Sequence, residues 1–155
     1  MPGERWGGFW TAFVHAIRNA IDHGIEAPDE RRAAGKPERA RLILRAARRG
    51  GEIAIEIEDN GRGVDWAQVA ERARLRGLPC ASHADLVDAL FHDGFTTRDT
   101  VTDVSGRGVG LSALRHACVS AGGCVTLTSR SGAGTTLGFR WPSSPACPEP
   151  LQFAG

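Results

Sequence analysis

One junction constrains this 155-residue chain more than any other. An alternating run, Glu52-Ile53-Ala54-Ile55-Glu56-Ile57-Glu58, passes directly into Asp59-Asn60-Gly61-Arg62-Gly63. Strand side chains alternate between faces, so Ile53, Ile55, Ile57 and Asp59 share one face while Glu52, Glu56 and Glu58 share the other. Asp59 therefore points where the apolar residues point. A carboxylate aimed into an apolar interior is costly unless a hydrogen-bond donor meets it, and that donor is either a protein group or a ligand. The glycines that follow let the backbone come close to such a ligand. A strand ending in an ordinary Asp-Asn-Gly turn fits the same residues, so the motif alone leaves both readings open.

The neighbouring segments place this strand. Leu42-Ile43-Leu44-Arg45-Ala46-Ala47, then Arg48-Arg49-Gly50-Gly51, then the Glu52 to Glu58 run reads as a hairpin. Upstream, Trp10, Phe13, Val14, Ile17 and Ile21 recur at helical spacing, and Gly24 suits the residue just past a helix, with Pro28 beyond it. At about 100° per residue the apolar set takes one side of that helix, and His15, Arg18, Asn19, Asp22 and His23 take the other. Ile25 to Ala40, with Pro28, Pro37 and many charges, is expected to be a solvated excursion with one helical turn.

Downstream, Trp66 to Arg76 is expected to be helical and to stop at Gly77 and Pro79. A shorter helix opens at Ser82, whose spacing to Asp85 is that of a capping box, and runs toward Phe91. His92 to Gly108 is polar, rich in Thr and Gly and weakly periodic, which predicts a mobile loop. Leu111, Leu114, Cys118 and Ala121 mark a further helix closed by Gly122-Gly123. Cys124 to Ser129 and Thr135 to Trp141 form a second hairpin around Ser131-Gly132-Ala133-Gly134. The tail after Pro142 carries Pro145, Pro148 and Pro150 and is expected to be disordered. The division predicted is one domain over 1–142 and a tail over 143–155, since the length suits one substantial core and not two.

Charge excludes little. The formal net charge of +1, from 19 basic and 18 acidic residues, gives no global pull toward nucleic acid or membrane. From Val104 to Pro148, however, there is no Asp or Glu, while Arg107, Arg115, Arg130 and Arg140 lie there. Those arginines either face a polyanionic ligand or are solvated surface. Cys80, Cys118, Cys124 and Cys147 form no Cys-x-x-Cys pair and have no histidine at zinc spacing, so neither a metal cage nor a disulfide framework is expected. With no apolar run near the roughly 20 residues of a membrane helix and no signal pattern, a cytoplasmic protein with reduced cysteines is expected.

Two further clusters bear on chemistry. Asn19 carries an amide oxygen able to coordinate a hard cation, and His15 and His23, four residues to either side, lie on the same helix face. An ordinary solvent face accounts for the same residues. Zinc fits poorly, because no Glu or Cys accompanies the histidines. Gly106-Arg107-Gly108-Val109-Gly110 opens a helix whose N-terminal amides and dipole favour phosphate. The strand before it and the acidic residue about 20 positions after it that a dinucleotide fingerprint requires are absent. A Walker loop fails as well, since Gly35-Lys36 runs into Pro37.

Taken in chain order, these boxes form a pattern: Asn19 on a helix, a strand ending in Asp-x-Gly-x-Gly, Gly-Phe-Thr-Thr at 94–97, Gly-x-Gly-x-Gly before a helix, and Gly-x-Gly-Thr-Thr at 132–136. The order resembles the ATP-binding domain shared by histidine kinases, gyrase-type topoisomerases, Hsp90 chaperones and MutL repair proteins. Within that superfamily, His15-Ala16-Ile17-Arg18-Asn19-Ala20-Ile21-Asp22-His23-Gly24-Ile25-Glu26 is similar to the CheA-type chemotaxis histidine kinases. Arg32-Ala33-Ala34-Gly35-Lys36, Gly94-Phe95-Thr96-Thr97 and Val101-Thr102-Asp103-Val104-Ser105-Gly106-Arg107-Gly108-Val109-Gly110 are similar to them too. The resemblance covers roughly Phe13 to Pro142.

The resemblance implies an α/β (α+β) two-layer sandwich, a mixed and mostly antiparallel sheet under three main helices. It implies ATP and Mg2+ as cofactors. Asn19 would be the magnesium ligand, with His15, Asp22 and His23 near the phosphates, and Asp59 would accept from the adenine amino group. Gly61 and Gly63 would line the adenine. Gly106, Gly108 and Gly110 would receive the phosphates beside Val109 and Leu111, with Arg107 neutralising charge, and Thr136 would sit near Asp59 behind the base. Phe91 to Arg107, including Phe95, Thr96 and Thr97, would be the ATP lid. Asp93 departs from the pattern, since the chemotaxis enzymes usually carry proline there.

The implied reaction is transfer of the γ-phosphoryl group to a histidine. No phosphoacceptor domain, dimerisation helices or receptor-coupling domain is recognised, so the chain is expected to be a catalytic module, either excised from a larger kinase or working with separate partners. Those partners would be a phosphoacceptor histidine domain in cis or trans, through it a response regulator, and receptor-coupling proteins, with no nucleic acid and no membrane insertion. The alternatives are a non-catalytic nucleotide-binding module of the same fold and an ATPase subunit that drives conformational change. Against the latter, Ala16, Ile17 and Arg18 stand beside Asn19, where such ATPases place a general-base Glu.

Overall fold

The glycine pair and the two alternating runs dictate the sheet. A computed structural model describes residues 2–95 and 110–142, the side chains of 2–5 excepted. Strands β1 (Leu42–Arg49), β2 (Glu52–Asp59), β3 (Cys124–Arg130) and β4 (Gly134–Trp141) form one sheet in the order β1-β2-β4-β3. Gly50 and Gly51 both take positive φ, 55° and 83°, the backbone that a two-residue hairpin turn requires. Each hairpin read from the sequence forms, and the two join through β2 and β4. All the pairings are antiparallel, so the parallel pair of a mixed sheet is absent among the described residues.

Register realises the alternation of β2. Ile53, Ile55 and Ile57 stand opposite Trp141, Phe139 and Leu137 on the inner face. On the outer face, the Arg45 guanidinium bridges Glu56, at 2.7 Å, and Glu58.

The helices are α1 (Pro2–Asn19), α2 (Pro28–Ala33), α3 (Trp66–Leu75), α4 (His83–Leu90) and α5 (Leu111–Ser120). Helix α1 buries Phe9, Ala12, Phe13 and Ala16 in one cluster with Ile55, Ile57 and Phe139 of the sheet and with Leu114 and Cys118 of α5. The Phe9 ring is 0% exposed and meets Phe139 and Trp141 edge-on, with centroids 5.3 and 4.7 Å away. The buried stripe is therefore rotated from the one that large residues alone predict. Trp10 and Val14 stay 47% and 57% exposed, because Ala12 and Ala16 let α1 lie close to its neighbours.

Helix α1 does not end at a Gly24 cap. It widens into a π-helical turn, Ala20–Gly24, closed by the Ile25 N–H donating to Ala20 O at 3.0 Å, and Gly24 has no positive φ. A second cluster joins Val69 of α3 and Leu90 and Phe91 of α4 to Leu127 of β3. The Ser82 capping box forms as expected: Asp85 N–H donates to Ser82 Oγ at 3.1 Å, and Ser82 N–H donates to Asp85 Oδ2 at 2.9 Å.

One expectation gains an exception and one is corrected. Ile25 to Ala40 is largely exposed around the short helix α2, as expected, but Arg31 is the exception, buried to 1% exposure. The cysteines are not all reduced: Cys80 and Cys118 are free, but Cys124 is disulfide-bonded. Spacing tests detect metal cages and local pairs and are blind to a bond set by the fold. Burial pushes the Cys118 thiol up to about 12. No helix among the described residues is long and apolar enough to cross a membrane. Of the expected lid, Phe91 to Arg107, the described part begins with Phe91 buried in the second cluster, while 96–107, the rest of the loop to Gly108 and the tail over 143–155 lie outside the described residues.

Candidate functional site

Asp59 ends β2 on the inner face, 9% exposed. Its Oδ1 accepts the Gly61 N–H at 2.8 Å and the Thr135 N–H at 3.3 Å. No donor among the described residues reaches Oδ2. The two oxygens of one carboxylate thus have different fates, one satisfied by the chain and one unspent. Burial pushes the carboxyl above its ordinary value, and the Gly61 and Thr135 amides pull it partly back.

The turn after Asp59 is gripped from both sides. Arg62 N–H donates to Gly24 O at 2.8 Å, and Gly132 N–H donates to Arg62 O at 2.7 Å. A Cβ on Gly61 would lie 2.1 Å from Gly24 O, and one on Gly63, whose φ is +69°, would lie 2.2 Å from Arg130 O. These glycines are thus required by close approach to the protein's own backbone, whatever ligand they line. Asn60 extends the strand pairing, its Oδ1 accepting the Arg41 N–H at 2.8 Å.

Thr136 is paired with Glu58, so its side chain goes to the outer face, away from Asp59. Thr135, one residue earlier, is the threonine that touches Asp59, and its hydroxyl lies 3.0 Å from Ser129 Oγ. Strand parity counted from Leu137 and Phe139 thus puts Thr135 on the inner face with Asp59 and Thr136 on the other, while both threonines line one cleft with Asp59. An open cleft of about 320 Å³ is lined by Glu58, Asp59, Thr128, Ser129, Thr135 and Thr136.

The helical side of the site is different in kind. Asn19 is the last residue of α1, and Asp22 and His23 belong to the π-helical turn that follows. Asn19, Asp22 and His23 are exposed, His15 is half-buried, and none of these side chains has a partner among the described residues. No group of three or more His, Cys, Asp or Glu able to hold a metal occurs among the described residues. Gly110 precedes α5, its carbonyl accepting the Leu114 N–H at 3.3 Å. Leu111 packs its side chain against both apolar clusters, which leaves its backbone for the site. Phe95 also packs inward, under the Arg76 guanidinium at 5.5 Å. Thr96, Thr97, Gly106, Arg107, Gly108 and Val109 lie outside the described residues.

The acid-free stretch supplies less positive field than its composition promises. Arg115 is paired with Asp88 at 3.1 Å, and the buried Arg140 donates to Glu52 at 2.7 Å. What sequence reasoning missed lies around α2: Arg31 and Lys36 donate to the carbonyls of Asn60 and Gly61, and Glu26 accepts from both cations. Glu26 and Lys36 stand in the segments that carry the resemblance, but charge alone does not show these contacts, since it reads equally as solvent-facing.

The inward carboxylate at the end of β2, the helix ending in Asn19 and the glycine before α5 all fall within the span of one family model. The model for histidine kinase-, DNA gyrase B- and HSP90-like ATPases matches residues 10–145. The chain belongs to this family. Among curated proteins it is 39% identical over 135 residues to a chemotaxis protein CheA of Bacillus subtilis (strain 168), an overlap covering 83% of this chain and 20% of that one. It is 44% identical over 134 residues to a chemotaxis protein CheA of Cereibacter sphaeroides, covering 83% and 19%. It is 39% identical over 144 residues to a gliding motility regulatory protein of Myxococcus xanthus, covering 89% and 18%. The chain therefore spans about a fifth of the length of these relatives. Among solved structures, the nucleotide-free catalytic domain of histidine kinase ThkA matches with a TM-score of 0.47 and 19% identity, over 87% of this chain and 68% of that one.

Proposed function

We propose that this chain binds ATP with magnesium and transfers its γ-phosphoryl group to a histidine on a separate domain or chain, in signalling of the chemotaxis type. The unspent Oδ2 of buried Asp59 carries the base-binding half of this reading. Adenine presents an amino donor where guanine presents a carbonyl acceptor, so a carboxylate oxygen lacking a donor matches the former and repels the latter. Asp59 orients the base, and the Gly61 and Thr135 amides hold the carboxylate still while it does so.

At the other end, the start of α5 at Gly110 directs its amides and the positive end of its dipole toward phosphate. Asn19 offers one amide oxygen, flanked by His15 and His23, with no protein cage of carboxylates among the described residues. That donor set fits an ion held largely through substrate phosphates. Bound magnesium would supply neutralisation of the phosphate charge. The transfer itself breaks the bond between the γ-phosphorus and its bridging oxygen and forms a bond to the acceptor imidazole nitrogen, with ADP leaving. The chain's part is to hold the γ-phosphate in line with an acceptor brought from outside.

Membership of the family and the histidine kinases and chemotaxis proteins among its relatives support this reading. They also motivate the partners: a phosphoacceptor histidine domain, a response regulator beyond it and receptor-coupling proteins, all in the cytoplasm. Incubated alone with radiolabelled ATP, the chain should stay unlabelled, and it should label a separate acceptor domain in trans. Stable phosphohistidine on His83, His92 or His116 would overturn the proposal.

A further inference from the structure

The segment expected to be solvated carries the most heavily bonded charges among the described residues. Arg31 sits on the six-residue helix α2, 1% exposed. Its Nε donates to Pro37 O at 2.8 Å, and its Nη1 donates to Glu26 Oε2 at 2.9 Å and to Asn60 O at 3.1 Å. Lys36 Nζ donates to Gly61 O at 2.7 Å and to Glu26 Oε1. One carboxylate thus anchors two cations, and each cation holds the carbonyl of one of the two residues after Asp59.

The linkage to the carboxylate is short. Lys36 fixes the Gly61 carbonyl, Gly61 donates its own N–H to Asp59 Oδ1 at 2.8 Å, and Oδ2 turns with Oδ1. Glu26 lies two residues past Gly24, whose carbonyl accepts Arg62 N–H on the far side of the same turn. A loop anchor needing only stability would be apolar, because a buried guanidinium is expensive to desolvate. This one even keeps Nη2 buried without a partner. Such a cost is retained where charges specify one arrangement of a backbone.

We propose that Glu26, Arg31 and Lys36 form a positioning clamp that sets where the Asp59 carboxylate stands, so that α2 and the loop after it govern discrimination between purine bases. The proposal deepens the reading of Asp59 as the base-recognition residue and rests on it. Glu26 and Lys36 are the charged groups that act on Asp59, the carboxylate raising its titration and the ammonium lowering it.

The test uses Lys36→Met, which keeps the stem and removes the ammonium, and Lys36→Arg, which restores a cation. Displacement of a fluorescent ATP analogue by ATP and by GTP gives the selectivity of each variant. Lys36→Met should lose about tenfold in ATP affinity and much less for GTP, the size of one misplaced hydrogen bond to a charged group. Lys36→Arg should recover most of the ratio. Where the parent prefers ATP, parallel loss for both nucleotides, or no loss, would overturn the clamp. A nucleotide-free readout separates its failure from that of the base-recognition reading. By carbon-13 NMR, the Asp59 carboxyl should titrate higher in Lys36→Met and lower in the isosteric Glu26→Gln, which also serves if Lys36→Met does not fold. Shifts in those directions with a parent that binds ATP and GTP alike would refute base recognition by Asp59 and leave the clamp standing. An unmoved Asp59 would refute the clamp.

Discussion

The two ends of the candidate site are built on opposite principles. Around Asp59, hydrogen bonds, backbone contacts within van der Waals limits and a buried charge cluster hold one geometry before any ligand arrives. Around Asn19, Asp22 and His23, the side chains are exposed and partnerless among the described residues. The base end resembles a core and the phosphate end resembles a surface. Preorganised groups recognise by shape and lose nothing on binding, whereas free side chains acquire their order from the ligand. Substitutions that break the backbone grip around Asp59 should therefore damage folding, and those around Asn19 should damage function alone.

Asn19→Ala is the strongest test of the second half of that statement. Magnesium-dependent nucleotide binding and phosphoryl transfer should fall by roughly two orders of magnitude or more, the scale of losing a group that acts in charge stabilisation. The melting temperature should not move. Calorimetry with Mg-ATP checks the first, and a variant that binds like the parent removes Asn19 from the site.

Gly61→Ala tests the first half. Its new methyl would stand 2.1 Å from Gly24 O, a backbone atom that cannot yield cheaply. Overpacking of this kind costs about 3 kcal/mol, so urea denaturation should show a loss of that order. An unchanged midpoint would mean that the turn is looser than its contacts indicate.

Asp59→Asn separates selectivity from stability at the same position. ATP should displace a fluorescent analogue better than GTP does in the parent, by roughly tenfold to a hundredfold for about 1–3 kcal/mol. The variant should narrow that gap, because an amide can present a donor or an acceptor. The effect of pH has a definite sign. A carboxyl raised by burial binds its proton more tightly folded than unfolded, so its contribution is full below the ordinary value of 3.8 and is lost as pH rises through the folded value. Asp59→Asn removes that decline, so relative to the parent it should gain stability between pH 4 and pH 7 in denaturation at the two pH values.

The smallest effect serves as a control. Ser82→Ala removes one cap from α4, remote from both ends of the site, and should cost about 1 kcal/mol without altering nucleotide affinity. A change in affinity would show that the second apolar cluster is coupled to the site.

Legibility in the sequence followed the range over which each signal acts. The inward aim of Asp59, the two hairpins and the Ser82 cap depend on periods of two or on neighbours three residues apart, and all appear where the residues place them. That Thr135, not Thr136, bonds the Asp59 carboxylate follows from strand parity counted back from Phe139. The contacts of Arg31 and Lys36 were invisible. A charge binding a carbonyl far along the chain looks, in one dimension, like a charge bound to water. The bond at Cys124 shares that blindness.

The π-helical turn at Ala20–Gly24 accommodates one residue more than an α-helical turn would. Removing that residue would rewind the segment and swing everything after it by roughly 100° about the helix axis. The Gly24 carbonyl would leave Arg62, and Glu26 would leave its two cations. Between Asn19 and Glu26 it is therefore the tally of peptide units that is under constraint. Side chains such as Ile21, half out in solvent, are free to drift while an insertion or deletion there would uncouple Asn19 from Asp59.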